Sequence, residues 1–147
     1  MSCKYCNTEN KDLIFETKYW IILLADDQYD LGRCVIILKR HCDSLSKLKI
    51  EEIIDFLEVV KKLENTIKKS FNATMFNWSC LMNNAYKSNN PNPHIHWHLR
   101  PRYKEKVKFD NITFEDLEFA HHYDNKKVLK PSQIILNKII LKIKENL

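Results

Sequence analysis

The amino-acid sequence predicts an α+β fold, an antiparallel sheet with one long helix and a C-terminal helix. Three observations carry the prediction. Short runs rich in β-branched and aromatic residues are divided by polar turns, as strands are. One stretch, from about Ile50 to Phe71, repeats apolar residues at three-to-four spacing and stands between strands. A second such stretch, Ser132 to Leu147, closes the chain. A chain of 147 residues makes one domain, 1–147, with room for a core.

The elements follow in order. Leu13–Thr17 and Tyr19–Leu24 read as two short strands that can form a hairpin, and Asp26–Asp30 is a polar turn closed by Gly32. Arg33–Leu38 is a buried strand. Ser44 and Ser46 offer N-cap hydroxyls. In the long helix, Ile53, Ile54, Leu57, Val60, Leu63 and Ile67 form the apolar stripe. Thr74–Met82 alternates as another strand. Asn83–Pro93 is a polar loop, and a strand from about His94 to Arg102 follows. Phe109–Phe119 suggests a loop and a short helix. Pro131 stands next to the start of the last helix, whose apolar residues are Ile135, Leu136, Ile139, Ile140 and Ile143.

Gly32 is the only glycine. That excludes a P-loop and a dinucleotide-binding fingerprint, which need several glycines for close backbone approach to phosphate. The net charge of +5, 24 basic against 19 acidic residues, suits an anionic small molecule. The excess is diffuse, so the lysines read as solvated surface rather than a nucleic-acid footprint. The N-terminus has no apolar signal segment and no run approaches a membrane span. A cytoplasmic location is the expectation, with five cysteines serving as thiols or metal ligands rather than disulfides.

His94-Ile95-His96-Trp97-His98 carries the chemistry. Successive strand residues point to opposite faces. Ile95, Trp97 and Leu99 would then pack into the core, leaving three imidazoles side by side on the second face. Imidazole is a nucleophile, proton carrier or metal ligand near neutral pH. The middle one is the natural nucleophile, because its neighbours flank it.

With Leu99, Arg100, Pro101 and Arg102 added, this stretch resembles the signature of the histidine-triad (HIT) superfamily of nucleotide hydrolases and nucleotidyl transferases. Upstream, Gly32-Arg33, the apolar strand and Lys39-Arg40-His41 resemble that family's Gly-His, strand and Pro-Lys-x-His. The likeness is strongest over 1–103, leaving 104–147 as a C-terminal extension. It implies a phosphoanhydride, phosphoramidate or similar phosphorus-linked nucleotide as substrate and a nucleotidyl-histidine intermediate. His96 would be the nucleophile, His98 would bond the phosphate oxygens and leaving group, and His94 would support the site. Asn83 would touch phosphate, with Asn90 the matching candidate nearer the triad. Asp26 would hold ribose hydroxyls, or merely cap its turn. A homodimer is also implied.

The chain departs from that pattern twice. Asn89-Asn90-Pro91-Asn92-Pro93 stands where many members have Gly-Gln-Ser/Thr, and its prolines remove two amide donors. Arg33 replaces a common histidine.

Cys3 and Cys6 form a CxxC pair able to share one tetrahedral metal. The resemblance completes a structural zinc site with His41 and His94, or Cys42 could stand in for His41. Two other readings remain open at this point. The triad could bind a catalytic metal in a metal-dependent hydrolase, or the protein could be a zinc-stabilised nucleotide-binding module without turnover. No organic cofactor is expected.

Overall fold

The computed structural model describes residues 3–9 and 11–147; Met1 and Ser2, which begin the N-terminal stretch read above, and Asn10 lie outside the described residues. Five strands form one antiparallel sheet: β1 (Leu13–Glu16), β2 (Trp20–Leu24), β3 (Cys34–Leu38), β4 (Met75–Ser79) and β5 (His96–Arg102). Their spatial order is β1-β2-β3-β5-β4. The long helix α1 (Ile50–Phe71) connects β3 to β4, and α2 (Gln133–Lys144) ends the fold.

Both helices cover the same face of the sheet. The alternation of each strand decides which side chains go there. Trp20, Ile22, Leu24, Ile36, Leu38 and Leu99 are buried beneath the helices with Val59, Leu63 and Ile67 of α1 and Ile139 and Ile143 of α2. Phe56 of α1 stacks on Trp97 at 4.9 Å and meets Trp20 at 5.0 Å. The other face of β5 carries His96, His98, Arg100 and Arg102.

Gly32 turns the chain into β3 at φ +84°, a conformation glycine adopts without strain. A side chain there would also press on Ile67, 3.3 Å from an added Cβ. Helix α1 ends on Asn72 in the left-handed conformation. Its start is held by Glu52, which accepts from the Lys49 backbone N–H at 2.8 Å and from Arg40. Ser44 caps only the short 3₁₀ turn Leu45–Lys47. Ser132 caps α2, its side-chain oxygen accepting from the Ile135 backbone N–H at 3.4 Å.

Three expectations need correction. Phe109–Phe119 holds no helix: β6 (Val107–Phe109) and β7 (Ile112–Phe114) make a hairpin, turned through Asp110 at positive φ. The strand expected over Thr74–Met82 stops at Ser79, because the chain leaves β5 and folds into a 3₁₀ turn over Asn83–Lys87. The helical stripe is split: Leu63 and Ile67 face the core, while Ile53, Ile54 and Leu57 face outward. Periodicity identifies an apolar face but not what covers it.

The segment after β7 folds back over the end of the triad face. Asp116 receives two bonds from Arg102, at 2.6 and 3.1 Å, and Arg102 also donates to Asn77 and to the carbonyls of Glu118 and His121. Arg102 is 1% exposed. Removing one partner of such a pair leaves an uncompensated buried charge. Arg102→Met is therefore expected to lower unfolding stability by about 3–5 kcal/mol, measurable by urea denaturation.

Candidate active site and metal centre

The metal cluster is assembled from three places in the chain. The N-terminal turn brings Cys3 and Cys6, the segment after β3 brings His41, and the residue two before β5 brings His94. Their four ligand atoms all lie within 4.8 Å of one another. His94 Nδ1 stands 3.2 Å from Cys3 Sγ, 3.5 Å from Cys6 Sγ and 3.3 Å from His41 Nδ1, and Cys6 Sγ stands 3.5 Å from His41 Nδ1. A tetrahedral zinc with Zn–S near 2.3 Å and Zn–N near 2.0–2.1 Å separates S from N by about 3.5 Å and N from N by about 3.3 Å. The four groups fit that ion. His94 Nε2 lies 2.7 Å from the Leu38 carbonyl, which can only accept, so Nε2 carries the proton and Nδ1 is free to ligate.

Cys42, the alternative ligand, lies outside the cluster and donates to the Ser44 carbonyl. The triad itself forms no metal-type group among the described residues. No disulfide joins the five cysteines.

His96 follows directly. Its Nδ1 is 2.8 Å from the His94 carbonyl, which fixes the proton on Nδ1 and leaves the lone pair on Nε2. The ring stacks on Tyr5 at 4.3 Å and meets His98 edge-on at 5.0 Å. Burial pushes the His96 pKa below its ordinary value. Burial first, then the charges of His96, Arg33 and Arg100, push His98 down to about 4. Both shifts favour the neutral imidazole, the form with a lone pair to give or accept with. His98 Nδ1 is buried with no partner.

The triad opens into a cavity of about 240 Å³ lined by His94, His96, His98, Lys4, Tyr5, Asn84 and Asn92, among others. A second cavity, of about 390 Å³, adjoins it at His98, with Asn83, Arg33 and Arg100 in its wall. The sequence-predicted residues divide accordingly. The structure brings His96 and His98 together and sets Asn83 beside His98. Asn90 sits exposed in its turn, its backbone N–H bonded to Ser88 Oγ, and lines neither cavity. Asp26 is exposed too and is ion-paired with Lys130 at 2.8 Å.

Sequence reasoning missed Lys4 and Tyr5, which ride on the turn between the two cysteines. Their only signal was position inside the CxxC pair. It also missed Asn84, one residue beyond the predicted Asn83. Arg100 could have been found, since it continues the alternation of the three histidines.

A Cys₂His₂ cluster that shares His94 with a row of three imidazoles, on one face of a five-stranded antiparallel sheet, is the arrangement of a histidine-triad protein. Comparison with known proteins agrees: the HIT domain family model matches residues 7–105. An uncharacterized HIT-like protein of Methanocaldococcus jannaschii is 24% identical over 124 residues, covering 79% of this chain and 93% of that protein. The asymmetrical bis(5'-nucleosyl)-tetraphosphatase of Schizosaccharomyces pombe is 26% identical over 87 residues, covering 59% of this chain and 47% of that protein. Among solved structures, a hypothetical histidine triad nucleotide-binding protein of Sulfolobus tokodaii superposes with a TM-score of 0.67 at 16% identity, covering 98% of this chain and 91% of that one. The chain belongs to the HIT family.

Proposed function

We propose that the protein is a nucleotide hydrolase or nucleotidyl transferase that works through a covalent nucleotidyl-His96 intermediate. The observation that carries this reading is the protonation of His96, with Nδ1–H given to the His94 carbonyl and a lone pair left on Nε2. In the first step Nε2 attacks the nucleotide's phosphorus. A P–N bond forms, the P–O bond to the leaving group breaks, and the electron pair departs on that oxygen. In the second step water adds to phosphorus, its proton leaves, and the P–N bond breaks to release the nucleotide and restore His96. An acceptor hydroxyl in place of water gives transfer instead. Splitting one displacement into two is the gain of a covalent route. The tetraphosphatase activity named for the fission-yeast relative supports the nucleotide as substrate.

His98 would donate to the phosphate oxygens. Asn84 and Asn92, in the lining of the triad cavity, and Asn83, beside His98, would supply further donors. Asn90 would then act on the turn, and Asp26 would reach ribose only by leaving Lys130. Asn84→Ala should lower the single-turnover rate by about tenfold or more, while Asn90→Ala should change it by less than about threefold. Rapid-quench measurement of the two variants separates the roles.

Cys3, Cys6, His41 and His94 would hold a zinc ion, which supplies a rigid cross-link rather than the reacting charge. Cysteine ligation there would also hold Tyr5 against His96, because Tyr5 lies between the two cysteines. Among the described residues His96 and His98 join no group that could hold a metal, which favours the covalent reading over a metallohydrolase.

A homodimer is supported by two surfaces. Ile50, Ile53, Ile54 and Leu57 form an exposed apolar row on α1, and β4 is an edge strand of the sheet. A second copy is the occupant we assign to them. Ile54→Glu should shift the mass seen by light scattering from dimer to monomer.

The proposed activity is tested by offering the wild-type protein dinucleoside polyphosphates, nucleoside phosphoramidates, adenylated amines and nucleotide sugars, with intact-mass detection of a nucleotidyl adduct on the peptide holding His96. Turnover with an adduct on another residue, or no turnover of any class, overturns it. No helix among the described residues is long and apolar enough to cross a membrane.

A further inference from the structure

We infer that the cavity beside His98 is a second anion subsite, built to hold an oligophosphate leaving group. The inference rests on the nucleotidyl-His96 reading and names the kind of substrate it serves. The cavity adjoins the triad cavity, and Leu81, Asn84 and His98 line both. A group that departs from phosphorus on the His98 side therefore enters it.

Its wall is cationic. Arg33, Lys87 and Arg100 contribute three positive charges, and no carboxylate is among its lining residues. Arg33 and Arg100 are held from behind. Arg33 is paired with Asp27 at 2.5 Å, and Arg100 with the buried Asp30 at 2.7 Å. Asn125 accepts from Arg100 at 3.3 Å, and the Tyr123 ring lies 4.1 Å from its guanidinium carbon. Fixing a guanidinium in advance lowers the entropy an anion must overcome to bind it. A neutral leaving group, such as an amine, would meet cations it cannot use, and a sugar phosphate would bring only one phosphate to them. Two or more linked phosphates can engage them in sequence.

The subsite draws on residues outside the family-matched range as well as inside it. Arg33 follows Gly32 at the turn into β3 and reaches the cavity from there. Tyr123 and Asn125 come from the segment beyond 105, outside the family-matched residues. The C-terminal extension thus acquires a role: its fold-back through Asp116 and Arg102 brings Tyr123 and Asn125 to the rim of the site.

The test uses Asn125→Asp, which keeps the acceptor for Arg100 but places a carboxylate in the wall, and Lys87→Ala, which truncates an exposed side chain. Titration calorimetry measures inorganic tripolyphosphate and, separately, adenosine monophosphate. Wild type should bind tripolyphosphate, and Asn125→Asp should weaken that by about tenfold with the monophosphate weakened by less than about threefold. Lys87→Ala should follow in the same direction. In turnover, the ratio of kcat/KM for a dinucleoside tetraphosphate to that for an adenosine phosphoramidate should fall by about tenfold in Asn125→Asp. No tripolyphosphate binding, binding insensitive to both variants, or an unchanged ratio with both substrates turned over overturns the subsite alone. Turnover of neither substrate by wild type overturns the nucleotidyl-histidine reading, and the leaving-group assignment with it.

Discussion

Replacing His96 with alanine is expected to lower turnover by at least about four orders of magnitude, because the covalent route is lost as a unit. Among the described residues no other side chain is placed to replace it: His94 has its Nδ1 in the candidate metal cluster and donates from Nε2 to the Leu38 carbonyl, and His98 meets His96 edge-on at the far side. The fold should survive, since His96 makes its hydrogen bond to a carbonyl of its own strand segment and its ring contact to Tyr5 on a surface turn. The nucleotidyl adduct should disappear from the intact-mass spectrum at the same time. Steady-state rates for the variant, with a thermal melt to verify folding, decide the matter. Activity within about tenfold of wild type would remove His96 from the role.

The second large effect concerns the metal. The wild-type protein should carry about one zinc per chain, and the Cys3→Ser/Cys6→Ser variant almost none. The binding energy of a structural metal is linked to folding, so the melting temperature of the variant should drop by about 5–15 °C. His98→Ala should keep its zinc, because His98 is no part of the cluster. Elemental analysis of the three proteins separates a closed structural centre from a metal at the triad. Equal zinc in wild type and the double variant would rule the site out. The double variant should also lose the ordered stacking of Tyr5 on His96, visible as a change in the Tyr5 ring NMR line width that the His98 variant does not share.

The two cysteines show how far residue spacing reaches. Cys3-x-x-Cys6 states that two sulfurs can share one ion, whatever the fold. That His41 and His94 complete the set was implied only by resemblance, and the distances now bear on it directly. Trp97 and His98 likewise part to opposite faces because a strand has period two. The same rule extends the polar row to Arg100 and Arg102. By contrast, Ile53, Ile54 and Leu57 share the helical period of Leu63 and Ile67, yet face away from the core. Periodicity carries no information on which apolar stripe meets the sheet. Asp110 marks the hairpin found where a loop and a short helix were expected within 109–119: the chain reverses through this residue at positive φ, and the hydrophobic pattern of so short a segment fits either period.

The sequence by itself determined the α+β class, the long helix over Ile50–Phe71, the triad strand and its two faces, and the Cys3-x-x-Cys6 half of the candidate metal cluster. All of these rest on local spacing, which the backbone period converts directly into a face. Only the tertiary structure decided which asparagines border the triad, that Lys4 and Tyr5 enter the pocket with the cysteine turn, and that the C-terminal extension lays Tyr123 and Asn125 beside Arg100. Those are contacts between segments far apart in the chain, Arg100 to Asp30 across seventy residues among them. Their partners are chosen by packing and by the need to pair buried charge, and neither condition is written in the spacing of nearby residues.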